Sequence, residues 1–251
     1  MDEFVVKIKP VTPIWTGDEN KKNTTLRETG ILGSLRWWYE ALIRGLGGTA
    51  CDPTKTKCEE KKHCDACELF GCTGWARKFR LEAIKLYDNS INLKFIKMRK
   101  MEDVEWALLQ KVLIVISKYG ALGGKIAESQ FGVIQIEKTN LSKVTLNKED
   151  INKYLKKNMI TTEDNPTLSR FVFINENLTN ETVTNIKQEF PFLKGQEENG
   201  KRYFYKTDNN NKPLRFFAYA ENNKEYVKIV GYLENQELNF IKGRELLEDL
   251  L

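Results

Sequence analysis

Histidine is nearly missing from this chain: His63 is the single imidazole in 251 residues. That removes the commonest general acid–base residue from nearly every site in the protein, and it leaves no free histidine to activate a serine nucleophile. Cysteine is missing everywhere except between Cys51 and Cys72, where all five fall. A secreted disulfide scaffold spreads its cysteines along the chain, so the clustering excludes that class. No apolar run approaches the ~18 residues that a membrane span requires. The opening MDEFVVKIKP is charged, and its apolar run is too short for a secretory signal. These absences predict a cytoplasmic protein with no membrane partner. Charge imbalance is small as well, 40 Lys and Arg against 35 Asp and Glu, yet the whole excess lies in residues 1–138. That distribution suits an anionic partner bound to the first half.

The cysteines that are present form a pattern. In CEEKKHCDACELFGC, Cys58, Cys64, Cys67 and Cys72 are separated by five, two and four residues. Two thiolates at C-x2-C spacing bite one tetrahedral ion, and two flanking thiolates close its shell. Four sulfurs leave no open position for water, so the site reads as a structural Zn2+ centre rather than a catalytic one. Cys58, Cys64, Cys67 and Cys72 are the expected ligands, with Cys51 and His63 as the other candidates. Lys55, Lys57, Lys61 and Lys62 lie around them and offset the charge of a four-thiolate centre. The segment carries little core of its own, so metal is what would order it.

Just upstream stands RETGILGSLRWWYEALIRGLGG, Arg27 to Gly48. At helical period Ile31, Leu35, Trp38 and Leu42 make one apolar stripe, and Arg36, Glu40 and Arg44 run along another face at steps of four. Thr29 is the expected N-cap, and Gly45, Gly47 and Gly48 end the helix. Gly30 and Gly33 weaken helix propensity at its start, which points to a close approach of another backbone or of a phosphate at the helix N-terminus. Arg27, Arg36 and Arg44 are the candidate phosphate contacts, while Trp38 and Leu35 read as core.

Element order predicts the architecture. Phe4–Ile8 alternates as a strand, and the helix above follows. Lys78–Tyr87 and Ile91–Met98 read as strands around an Asp88-Asn89 turn, Glu102–Tyr119 as a deeply buried helix, and Phe131–Ile136 as a last strand. The sum is βαββαβ, a ferredoxin-like (RRM-like) unit in the α+β class, with the cysteines inserted after its first helix. The second half predicts a helix at Lys148–Lys157, a strand at Leu168–Asn175 and a helix at Thr179–Phe190. Paired strands follow at Leu214–Tyr219 and Tyr226–Leu233, then a closing helix at Phe240–Leu251. The aromatics Tyr203, Phe204, Tyr205, Phe216 and Phe217 read as core in preference to base-stacking platforms.

A loop rich in glycine, GALGGKIAESQFG (Gly120–Gly132), precedes the last strand of the first half. Such loops expose backbone N–H groups to anions, and Gly123, Gly124 and Lys125 are its candidate contacts. It lacks the G-x-x-x-x-G-K-[ST] phosphate-loop pattern. Together with TPIWTG (Thr12–Gly17), GILGSLRWWYEAL (Gly30–Leu42) and CELFGC (Cys67–Cys72), this loop resembles the RAMP superfamily of CRISPR-associated RNA-binding proteins. The TP-x-x-TG start, the LRWW helix and the LFG tripeptide are most similar to first subunits of the Cmr, or type III-B, effector complex. The resemblance spans about the first 135 residues. It implies tandem ferredoxin-like domains, here 1–139 with a metal-binding insertion at 51–72 and a degenerate second domain at 140–251. It further implies a non-catalytic subunit near the end of the complex that holds the 3′ part of the guide RNA. Guide RNA, target RNA and other Cmr subunits would be its partners, in antiviral defence. Zinc-binding insertions before LFG occur among RAMP relatives. The glycine-rich loop departs from the family pattern, in which arginines usually follow the second glycine pair: here only Lys125 is basic, and Glu128 adds an acid. Two alternatives remain, a RAMP endoribonuclease using Asp18 or His63 and a stand-alone zinc-containing nucleic-acid binder.

Overall fold

The computed structural model describes residues 3–18, 22–52, 58–59, 62–140, 147–155, 166–195 and 200–250. The first half builds β1 (Glu3–Pro10), α1 (Glu28–Gly45), a short α2 (Asp65–Phe70), β2 (Phe79–Lys85), β3 (Ile91–Lys97), α3 (Asp103–Lys118) and β4 (Ile134–Thr139). The strands form one antiparallel sheet in the order β2-β3-β1-β4. Alternation decides its faces: Phe4, Val6 and Ile8 of β1 point into the core beneath α1 and α3, and Glu3 and Lys9 are exposed. The second half builds α4 (Lys148–Leu155), β5 (Phe171–Ile174), α5 (Asn180–Glu189), β6 (Tyr203–Thr207), β7 (Pro213–Tyr219), α6 (Asn223–Asn235), β8 (Ile241–Lys242) and α7 (Gly243–Asp249). Its sheet order, β6-β7-β5-β8, repeats the first with the same βαββαβ connectivity. The fold is therefore α+β with two ferredoxin-like units.

One core joins them. The adjacent tryptophans of α1 diverge by about 100° around the helix axis. Trp38 is buried, donates Nε1–H to the Ala121 carbonyl at 2.9 Å, and meets Phe171 and Phe217 of the second sheet. Trp37 meets Phe171, Phe204 and Tyr219 edge-on. Phe204, Phe217 and Phe173 stand side by side across β6, β7 and β5, so the inner face of the second sheet is an aromatic floor on which α1 rests. Val172, Ile174, Phe216 and Ala218 alternate to the other face and pack under α5 and α6. Phe204, Phe216 and Phe217 thus belong to the core, as their sequence context implied, while Tyr203 and Tyr205 pack half-buried against it.

Three expectations need correction. α1 begins at Glu28, so Thr29 lies inside its first turn and is not the cap. The start is set by a tertiary contact, because the Arg27 amide donates to Thr16 Oγ1 at 3.0 Å. The last strand of the first half starts at Ile134 rather than Phe131. Gly132, at φ +90°, donates its N–H to Pro13 O (2.9 Å) and delays the ladder. Tyr226–Leu233, read as a strand from its Val, Ile and Tyr content, is the middle of α6. Asn222 caps that helix by accepting from the Glu225 amide, and Tyr226, Ile229 and Leu233 form a buried stripe at helical spacing.

Candidate functional site

Four sulfurs converge behind α1. The ligand atoms of Cys51, Cys58, Cys64 and Cys67 all lie within 4.8 Å of one another, and all four residues are buried. Local structure explains the gathering. Cys64 is the N-cap of α2, and its sulfur accepts from the amides of Cys67 (3.4 Å) and Cys51 (3.3 Å). Cys51 is delivered by the segment after α1: Arg44 donates to Ala50 O (2.9 Å) and Cys51 O (3.4 Å), and the Thr49 amide and hydroxyl both bond Asp65. The Cys51 and Cys67 sulfurs are 3.5 Å apart. Hydrogen bonds among the sulfurs separate their protons. Cys64 is held far below the ordinary thiol range by Cys51 and Cys67, and the Cys51 thiol is pushed up to about 12 by Cys64.

The close group of four sulfurs thus differs from the expected ligand set by one residue. Cys72 is half-exposed, with its backbone paired to Trp75, and Cys51 takes its place in the cluster. Spacing favoured Cys72 because it is near in sequence; Cys51 is near only through the turn that Arg44 and Asp65 hold. His63 is also outside the cluster: its Nε2 lies 2.7 Å from Glu68 Oε2 and its ring stacks on Trp75. Lys55, Lys57 and Lys61 lie outside the described residues. Among the described residues, Arg36 is a cation beside the sulfurs, its Nη2 3.2 Å from Cys67 Sγ and 3.8 Å from Cys51 Sγ. Its Nε bonds Glu40 (2.8 Å) and its Nη1 bonds Gly71 O (3.0 Å). Arg36 and Arg44, expected to face phosphates, instead turn inward and hold the cysteine segment. Arg27 is exposed at the start of α1.

On the other side of α1 a cleft of about 420 Å³ opens between the two units. Gly30, Gly33, Ser34 and Trp37 line it from α1, Gly123, Gly124 and Ile126 from the glycine-rich loop, and Lys201, Phe204 and Tyr219 from the second sheet. Four of the glycines singled out by sequence are brought together here, for different reasons. A Cβ on Gly30 would stand 2.7 Å from Thr16 O, and one on Gly123 2.6 Å from Trp15 O, so both are close backbone approaches within the protein. Gly124 lies against the Trp15 indole and donates its N–H to Trp15 O (2.7 Å). Around Gly33 nothing lies within 4 Å of where a Cβ would be, so its missing side chain leaves open cleft. Beside it the buried Ser34 hydroxyl has no hydrogen-bond partner among the described residues. Lys125 lies over Trp15 and 3.3 Å from Glu128. Lys201 brings a second cation, from a part of the chain where sequence reasoning named no site; its local signal, KRYFYK, is a basic residue flanking a strand.

Of the two acid–base candidates, Asp18 accepts from the Lys22 amide (2.7 Å) and the Thr24 hydroxyl (3.1 Å), forming a loop cap. His63 is bound to Glu68 on the far side of α2.

The sequence matches the family model of the RAMP superfamily over residues 7–243. The chain belongs to the RAMP superfamily. Among solved structures it is similar to Cmr1 from Pyrococcus furiosus in its apo form, with 12% identity, a TM-score of 0.50, and coverage of 97% of this chain and 99% of that one. It is also similar to a chain of the type III-B Cmr-beta complex bound to cognate target RNA, at 10% identity and a TM-score of 0.51 over 100% of both chains. At such identity these likenesses establish a shared fold across the whole RAMP chain. No curated protein sequence matches. Among the described residues no helix is long and apolar enough to cross a membrane.

Proposed function

We propose that this RAMP chain is a non-catalytic, RNA-binding subunit of a type III-B (Cmr) CRISPR ribonucleoprotein. It would help hold the 3′ part of the guide RNA and engage target RNA beside other Cmr subunits, in the cytoplasm. The observation that carries this reading is the cleft between the units. It combines an empty space at Gly33, an unpartnered buried hydroxyl at Ser34, the edges of Trp37 and Tyr219, and the cation of Lys201. Open aromatic edges beside a cation suit an unpaired strand, whose bases have free faces and whose phosphates are close by. Arg27 at the helix start extends the positive rim. The cluster of Cys51, Cys58, Cys64 and Cys67 would hold one structural Zn2+, cross-linking the segment after α1 to the start of α2.

Binding of the full chain to labelled single-stranded RNA, single-stranded DNA and duplex RNA over a salt series tests the reading. Tight, salt-sensitive preference for single-stranded RNA supports it, with a slope of about 0.7 per phosphate contact. No binding to RNA, or equal binding to all three, counts against it.

A further inference from the structure

The glycine-rich loop shows one side to the cleft and the other to the edge of the second sheet. On that second side four successive carbonyls are captured. Lys206 of β6 donates Nζ to Ile126 O (2.6 Å) and Glu128 O (2.8 Å), Lys201 donates to Ala127 O (2.9 Å), and the Thr207 amide donates to Ser129 O (3.1 Å). Lys206 is fully buried. Directly across the β6–β7 ladder is Arg215, also buried, whose Nη1 reaches Ile116 O, Ser117 O and Gly120 O where α3 ends.

Two buried cations facing each other across a ladder repel, and neither has a carboxylate partner among the described residues. Arg215 is compensated by the C-terminal dipole of α3. Lys206 has loop carbonyls alone. A side-chain amide would satisfy those carbonyls without burying a group that takes up a proton, so holding the loop does not by itself explain why the donor is an amine. Its position does: the amine lies 2.6 Å from the carbonyl of Ile126, a residue that lines the cleft, on a loop whose own base, Lys125, is offset by Glu128.

We infer that Lys206 is a positioning residue for RNA, fixing the glycine-rich loop from behind and placing a positive charge under the cleft. The inference rests on the RNA-binding reading above. Burial, then Lys201 and Arg215, push the Lys206 amine down to about 7, against the opposing pull of Glu128. The charged groups around it are Lys201 from the segment leading into β6, Arg215 from β7, and Glu128 with its partner Lys125 from the loop. The neutral amine still carries two N–H donors for its two carbonyls. Rising pH therefore removes the charge and leaves the loop in place.

The test is anisotropy of a labelled oligouridine with the full chain at constant ionic strength, for wild type, Lys206→Met, Lys206→Arg and Lys201→Met. Between about pH 6 and about pH 8.5, wild-type affinity should fall roughly threefold to tenfold as the charge is lost. Lys206→Met should be flat at the weaker level. Lys206→Arg should stay at the tighter level throughout, which keeps the test alive if the Met variant does not fold. Lys201→Met should bind more weakly and keep the step, displaced to higher pH because Lys201 no longer pushes the Lys206 amine down. A flat wild-type profile, or a step that survives in Lys206→Met, overturns the inference while RNA binding stands. Absence of RNA binding by wild type at every pH overturns the functional reading and this inference with it.

Discussion

Arg36 holds its guanidinium 3.2 Å from the sulfur of Cys67. The next residue, Trp37, points into the inter-unit cleft, and the one after, Trp38, into the shared core. Three consecutive positions on α1 therefore serve the cysteine cluster, the cleft and the seam between sheets, because a helix turns about 100° per residue. That geometry lets a metal held by the sulfurs and an RNA held in the cleft be tested separately.

The ligand set is open to direct measurement. Cys51→Ser should lose bound zinc, and Cys72→Ser should retain about one equivalent, by elemental analysis of protein purified without chelator. The reverse result would restore the spacing-based set. Stripping the metal from wild type should lower its melting temperature, since the four-sulfur segment then loses its cross-link.

Arg36→Met should weaken metal retention by ~10- to 100-fold in competition with a chelator, the usual cost of removing a group that supports metal ligands. Its oligonucleotide salt slope should match that of wild type. A slope reduced by about 0.7, with metal affinity unchanged, would mean that Arg36 contacts phosphate after all.

Gly30 and Gly33 should behave oppositely. Gly30→Ala drives a Cβ to 2.7 Å from Thr16 O and should destabilise the fold by ~1–3 kcal/mol in denaturant titration. Gly33→Ala meets open space and should stabilise α1 by up to ~1 kcal/mol. Gly33→Leu should keep the fold and lower RNA affinity by about tenfold or more, by filling the cleft. Wild-type affinity in Gly33→Leu would remove the cleft from the RNA path.

Lys206 should also write itself into stability against pH. Its folded value, about 7, lies below the ordinary lysine value of 10.5. Below about pH 7 both folded and unfolded chains hold the proton, and the cost of burying it is fully present. As pH rises from about 7 towards about 10.5 the folded chain has released the proton and the unfolded chain has not, so folding is favoured increasingly. Urea titrations should show wild type gaining on Lys206→Met over that window, by on the order of a few kcal/mol in total. Parallel pH curves for the two proteins would show that Lys206 keeps an ordinary pKa in the fold.

Much of this was legible in the chain itself. Period-two alternation in Phe4–Ile8 and the steps of three and four in Ile31–Leu42 are local signals, and they specified the first unit down to its βαββαβ order. The C-x2-C pair needed only the short turn that starts α2. The strand expected at Tyr226–Leu233 failed because β-branched and aromatic content outweighed a weaker signal, Asn222 three residues before Glu225, that caps a helix.

By itself, then, the sequence determined which segments are helix or strand in the first unit, that thiols cluster after α1, and that glycines gather at two places. Those properties depend on neighbours within one or two turns of chain. Only the tertiary structure decided that Cys51 and not Cys72 stands in the close group of four sulfurs, that Arg36 and Arg44 face sulfurs and carbonyls, and that Lys201 and Lys206 complete the glycine-rich loop from about 80 residues away. A side chain's partner depends on which segments the core brings together, and that is settled by burying Trp37 and Trp38 against the second sheet, not by any spacing along the chain.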